Sequence, residues 1–119
     1  MSQHNDIGKQ GEQIALDYLI DTKQFIILET NWRFSRAEID IIAKNEETLI
    51  FIEVKTRSYD YYGKPEEFVS RRKEELVQDA ANEYMKQVNH NWAIRFDIIS
   101  ILMNKDGTHS LEHFQDAWW

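Results

Sequence analysis

Four charged side chains interrupt two apolar runs in the segment AEIDIIAKNEETLIFIEVKTRS, Ala37 to Ser58. Glu38 and Asp40 lie in the first run, Glu53 and Lys55 in the second, and burying an unpaired charge costs several kcal/mol. Strand side chains alternate between faces. Glu38, Asp40 and Ile42 are therefore expected on one face of the first strand, and Leu49, Phe51, Glu53, Lys55 and Arg57 on one face of the second. A turn over Asn45 to Thr48, or a tighter one at Glu46 and Glu47, sets Ile42 opposite Phe51, Asp40 opposite Glu53 and Glu38 opposite Lys55. Directly opposed Cβ atoms stand roughly 4.5–5.5 Å apart, so two carboxylates would meet, with an ammonium two residues further along. Like charges at that distance repel. A divalent cation removes the conflict, because two carboxylates with backbone, water and phosphate oxygens make the hard ligand set of Mg²⁺. Asp40 and Glu53 are thus candidate metal ligands. Lys55 would hold or help deprotonate an attacking water, or stabilise charge on a phosphorane-like transition state. The competing reading is a half-exposed hairpin with Glu38 and Lys55 as an ordinary cross-strand ion pair. E-x-D set in register against E-x-K favours the metal site.

Two helices are placed to add to this group. Gly11, Ile14, Ala15, Tyr18 and Leu19 recur at three- and four-residue spacing, which predicts a first helix over about Ile7 to Ile20, its glycines marking close packing. Glu12 falls in the apolar stripe of that helix, three residues before Ala15, and points at the sheet. FIILETNWRF reads as a strand, followed by strands over Glu38 to Lys44 and Leu49 to Arg57. The loop SYDYYGKPEEF then leads, through a proline suited to a first helical turn, into a long helix ending near Val88. Its stripe holds Val69, Leu76, Val77, Ala80, Ala81, Tyr84, Met85 and Val88. Lys73 lies in the same stripe. For both Glu12 and Lys73 the alternative is snorkelling, with the stem on the core and the charge at its edge. AIRFDIISILM is a further strand, KDG a turn signal and THSLEHF a short last strand. The order α-β-β-β-α-β, with a further short strand, predicts an α/β fold with a mixed sheet flanked by helices.

With 119 residues, the chain has the size of one compact domain. Residues 1–119 are expected to form one unit, with 1–6 and 115–119 as loose ends. The lack of cysteine excludes disulfides and Cys-based zinc sites. The residues before Gly8 lack the regions of a signal peptide, and no apolar run approaches membrane-spanning length. A soluble, cytoplasmic protein with no membrane partner is expected. A net charge of −7 opposes a general electrostatic grip on a polyanion. Any nucleic-acid contact must be local.

E-x-D followed by E-x-K across a hairpin, with a Glu on the preceding helix, resembles the PD-(D/E)XK nuclease superfamily. More closely, GKQGEQIALDYL, NWRFSRAEIDIIA, FIEVKTRS, YGKPEEFVSRRKEEL and RFDIISI resemble, in order, the YraN-type family of uncharacterised bacterial proteins related to Holliday-junction resolvases, over about Gly8 to Phe114. The resemblance implies a restriction-endonuclease-like αβββαβ core and Mg²⁺- or Mn²⁺-dependent hydrolysis of phosphodiester bonds in DNA, pointing towards branched or junction DNA. It implies Asp40 and Glu53 as metal-binding acids, Lys55 as catalytic lysine, Glu12 as the helix carboxylate and Glu38 as the acid of a G-E-I-D element. Here that element reads A-E-I-D, with Ala37 where the family usually has glycine, and alanine cannot easily take φ > 0. Symmetric cutting of two strands makes a homodimer attractive. The second functional expectation is a nucleic-acid-binding or scaffolding module that keeps the nuclease fold with little or no turnover.

Candidate nucleic-acid contacts are Arg57, Arg71, Arg72 and Lys73, the last three near a helix N-terminus, and Tyr61, which could stack on an unpaired base. For Arg71 and Arg72 a solvated face, and for Tyr59, Tyr61 and Tyr62 a lid or packing cluster, is the default. His109 and His113 are four apart, which on a helix would suit a metal. On a strand that spacing separates them, and a zinc site is not expected. Arg95 and Asp97 share a face as a structural ion pair. Trp118 and Trp119 read as packing, a dimer contact or a frayed end.

Overall fold

A computed structural model describes the backbone of residues 3–59 and 70–117. Helix α1 (Gln3–Asp17) runs into one π-helical turn (Tyr18–Thr22), followed by strands β1 (Ile26–Phe34), β2 (Ala37–Asn45) and β3 (Thr48–Ser58). Helix α2 (Arg71–Gln87) and strands β4 (Ile94–Met103) and β5 (His109–Phe114) complete the order. The five strands lie side by side in sequence order. β3 and β4 are parallel and every other pair is antiparallel, as a crossover through α2 requires. The result is the expected α/β arrangement, a mixed sheet flanked by two helices in a restriction-endonuclease-like fold.

Both faces of the sheet are covered, and this explains why the middle of β3 reads as a nearly unbroken apolar run. Leu49 and Phe51 pack with Ile42, Phe96, Val77, Ala80, Ala81 and Tyr84 under α2. Ile50, Ile52 and Val54 pack with Ile41, Ala43, Ile99, Ile101, Ala15 and Leu19 under α1. Ser70 caps α2 by accepting from the Lys73 backbone N–H at 3.1 Å, as an N-cap serine does. At Gly11, α1 packs directly against β3. A Cβ added there would overlap the Thr56 side chain, standing 2.8 Å from its Cβ; nothing comparable faces Gly8.

Three boundaries differ from the sequence expectation. α1 starts at Gln3, inside the segment expected to be loose, and its continuation widens into the π-helical turn, past which the Leu19 carbonyl accepts from the Phe25 N–H at 2.9 Å. At the other end, Asp116 N–H donates to Asp97 Oδ1 at 2.9 Å and Ala117 N–H to the Phe96 carbonyl at 2.8 Å. Val88 caps α2 with nearly half its surface exposed rather than extending the apolar stripe. Val69, Tyr61, Tyr62, Pro65, Trp118 and Trp119 lie outside the described residues. Among the described residues, no helix is long and apolar enough to cross a membrane.

Candidate active site

The β2–β3 hairpin closes through the two-residue turn Glu46 and Glu47, with Lys44 opposite Leu49 and Ile42 opposite Phe51. That register is the expected one. Pairing continues to Ile41 opposite Ile52 and goes no further. Val54 N–H then donates to Asp40 Oδ2 at 2.8 Å. The expectation that Glu38, Asp40 and Ile42 share a face fails at the same place. Ala37 and Ile39 pack in the α2-side cluster together with Ile42, and Ile41 and Ala43 in the α1-side cluster, so the alternation slips by one residue at Asp40, turning Glu38 towards the α1 side and leaving Asp40 at the change of face. β1 slips with it: Thr30 pairs with Ile41, which packs under α1, yet Trp32 pairs with Ile39 and packs on the α2-side cluster. Asn31 stands between them with φ 51°, a left-handed conformation that asparagine tolerates better than most residues.

The acids therefore find partners other than those expected. Glu38 pairs with Arg33 directly across on β1, at 2.6 Å, and not with Lys55. The Asn31 amide, oriented with its nitrogen towards the acids, donates to Glu12 Oε1 at 3.1 Å and Glu38 Oε1 at 3.0 Å. Glu12 thus joins the group from α1, held there by the Gly11–Thr56 contact one residue away. Burial, together with Glu38 and Glu53, raises the Glu12 pKa despite the Asn31 hydrogen bond. Asp40 is pushed up to about 7, first by burial, then by the charge of Glu53, with Glu12 adding to it. Glu53 is buried at 7% exposure and carries two ammonium groups on one oxygen. Lys55 Nζ lies 3.0 Å from its Oε1, and Lys73 Nζ, arriving from α2, donates to the same atom. Burial pulls the Lys55 pKa down, but Glu53, the hydrogen-bonded Lys73 and the charge of Asp40 together outweigh it and the pKa is raised, so the ammonium is stabilised. For Lys73, burial outweighs Glu53 and the pKa is lowered.

Residues 11–101, from the Gly11 contact through β4, match the sequence profile of Uncharacterised protein family UPF0102. The chain belongs to this family. A UPF0102 protein of Christiangramia forsetii is 45% identical over 119 residues, covering 100% of this chain and 98% of the relative. One of Flavobacterium psychrophilum is 44% identical with the same coverage, and one of Porphyromonas gingivalis is 38% identical over 99% of this chain and 87% of its own length. UPF0102 is the YraN-type family that the motifs resemble.

Among the described residues of this UPF0102 chain, no three His, Asp or Glu side chains converge as a ready-made metal cage. The donor set still fits a hard divalent cation. Asp40 is a buried carboxylate destabilised by its carboxylate neighbours, and Mg²⁺ sites commonly take one or two protein carboxylates with the remaining oxygens from water and phosphate. Ala37 sits in extended β2 backbone outside the positive-φ residues, and its Cβ is buried in the α2-side core. Glycine's freedom is not needed there.

The other candidates separate. Arg57 Nη1 donates to the Thr56 carbonyl at 3.0 Å. Arg71 and Arg72 are exposed on the first turn of α2, with Arg72 3.5 Å from Glu75. Lys73 is engaged with Glu53, and Tyr61 lies outside the described residues. His109 is exposed on β5, whereas His113 is bound to Asp97 at 2.7 Å and to the Tyr18 hydroxyl at 2.9 Å. Asp97 is fully buried and also accepts two hydrogen bonds from Arg95, each 2.9 Å. The expected Arg95–Asp97 pair is thus the centre of a larger network joining β4, β5, the π-helical turn through Tyr18 and the C-terminal segment. Asn31, Arg33 and Tyr18 carry parts that the sequence reading did not assign. An asparagine inside a strand, where it is disfavoured, was the one signal available.

Proposed function

We propose that this chain is a Mg²⁺- or Mn²⁺-dependent endonuclease that hydrolyses phosphodiester bonds in DNA, branched or junction DNA included, in the cytoplasm. The observation that carries the reading is Asp40: a buried carboxylate driven to about 7 beside Glu53, with a stabilised ammonium on Glu53. Strongly perturbed acid and base neighbours of this kind cluster at functional sites. Asp40 and Glu53 would hold the cation. When bound, it would lower the pKa of a water and neutralise phosphate charge. Lys55 stays protonated and donates to a phosphate oxygen as charge builds there. Glu12 and Glu38, tied together by Asn31, form the outer acidic wall and orient solvent at its edge. Arg71 and Arg72, exposed beside the α2 N-terminus, supply positive charge for backbone phosphates. A homodimer would present two such sites for paired cuts.

A second reading, a nucleic-acid-binding or scaffolding module with little turnover, draws support from Glu53 already being neutralised within the chain by Lys55 and Lys73. One experiment separates the two. The protein and its Asp40→Ala variant are incubated with junction, flap, single-stranded and duplex DNA in Mg²⁺ or Mn²⁺. Metal-dependent cleavage lost in Asp40→Ala is the expected result; cleavage that survives the substitution sinks the mechanism, and binding without cleavage favours the second reading.

A further inference from the structure

Two cations share one oxygen at Glu53, and they reach it from different places. Lys55 stands two residues away on β3. Lys73 comes from the first turn of α2, where the Ser70 cap holds its backbone. One ammonium is enough to neutralise a carboxylate, and a second must overcome repulsion from the first. Both lysines also lie near enough to Asp40 to attract its carboxylate, and only Lys73 does so from outside β3. Lys73 therefore does electrostatically what a cation between Asp40 and Glu53 would do.

We infer that Lys73 is a displaceable counter-cation of the acidic pair, neutralising Glu53 and easing Asp40 in the metal-free protein and yielding Glu53 Oε1 when a divalent cation binds. The inference rests on the metal-site reading of Asp40 and Glu53. Two features make Lys73 the one that leaves. Its side chain is 29% exposed against 21% for Lys55, so it has the more open route to water, and it reaches Glu53 from a separate element, α2, so its head can swing out without disturbing β3, which carries both Lys55 and Glu53. Metal and Lys73 then compete for one oxygen. Removing a residue of the site should strengthen metal binding.

The test is Mn²⁺ affinity, read from the spin resonance signal of free Mn²⁺, for the native protein, Lys73→Met and Lys105→Met, with melting points in chelator and in saturating Mn²⁺. Lys73→Met keeps the stem and deletes the charge; Lys105→Met deletes an exposed lysine charge in the turn between β4 and β5, away from Glu53. A partly exposed ion pair is worth about 1 kcal/mol, so Lys73→Met is expected to bind Mn²⁺ about fivefold more tightly. It should also melt lower in chelator and gain more from Mn²⁺, while Lys105→Met matches the native protein. Unchanged or weaker binding by a folded Lys73→Met overturns the inference while leaving the metal site standing. Binding by neither protein overturns both. Should Lys73→Met not fold in chelator, Lys73→Gln gives the same comparison with a polar head in place of the charge.

Discussion

Replacing Asp40 by asparagine should make the metal-free protein more stable, although it removes the residue on which the proposed chemistry depends. The Asp40 pKa is raised from 3.8 to about 7. The folded state therefore holds a proton on Asp40 that the unfolded state has released between about pH 4 and pH 7, and stability falls as pH rises through that window. Above it the penalty is fully present; below about pH 4 both states are protonated and it vanishes. About three pK units correspond to roughly 4 kcal/mol at most. Asparagine does not recover all of it. Its amide oxygen can still accept from Val54 N–H, and the weakening of that bond on loss of charge is already contained in the raised pKa, but its N–H₂ brings two buried donors that the site must satisfy, at a cost of about 1 kcal/mol. The expected net gain is roughly 2–3 kcal/mol at about pH 8, on the order of 10 °C in melting point for a chain of this size. Urea denaturation of both proteins in chelator at about pH 8 and pH 4 measures it. Saturating Mn²⁺ should stabilise the native protein and leave Asp40→Asn nearly unmoved. A variant less stable than the native protein at pH 8, or a difference that does not shrink towards pH 4, refutes the electrostatic account of Asp40.

Three further outcomes test the parts that position the site. Gly11→Ala should cost about 1–3 kcal/mol through overpacking against Thr56, with partial recovery in Gly11→Ala/Thr56→Ala, read from denaturation midpoints. Asp97→Asn should cost about 3–5 kcal/mol near neutral pH by removing the buried charge that half-buried Arg95 and His113 are held against. Burial alone would raise the Asp97 pKa, but hydrogen bonds from His113 and Arg95 hold it below the usual value, so this stability is present above about pH 4 and is lost as pH falls through the folded pKa. Asn31→Ala should be less stable than Asn31→Gly by roughly 1 kcal/mol, because both lose the amide but only alanine is penalised in the left-handed conformation. Equal stabilities would remove the case for strain at Asn31.

How far the sequence could be read was decided by where simple periodicity holds. Near the turn, Ile42, Leu49 and Phe51 must enter the core, and a one-residue shift would expel them, so the hairpin register was legible. The helix stripes likewise placed Glu12 and Lys73 towards the sheet, and the glycine in the first stripe marked where α1 packs directly against β3. Beyond Ile41 the alternation rule gave the wrong face. Ile39, Ile41 and Ile42 cannot all lie on one side, and nothing in that string says at which residue the change of face falls. The partner of Glu38 was missed for a related reason: closing β1 onto β2 through Ser35 and Arg36 sets Arg33 opposite Glu38, a pairing hidden while attention stays on the second hairpin. The Asp97 network needs the β5 register and the π-helical turn that carries Tyr18. Neither leaves a periodic trace.

The slip at Asp40 also explains why this residue, among four nearby acids, is perturbed most. Had β2 kept its alternation, Glu38, Asp40 and Glu53 would all face α2, where Lys55 and Lys73 could answer only part of their charge. With the slip, Glu38 goes to the α1 side and is met by Arg33 and Asn31, while Glu53 stays on the α2 side with both lysines. Asp40 lies at the crossover. Burial there raises its pKa most, Glu53 from one side and Glu12 from the other add to it, and Lys73 relieves it only in part; its hydrogen-bond donor is the backbone of Val54. Each of the other three acids has a charged or amide partner from a neighbouring element, so the unmet negative charge collects on Asp40, where β2 and β3 part. A cation brought to that point gains from Asp40 without first breaking an ion pair there. Only at Glu53 must it displace one.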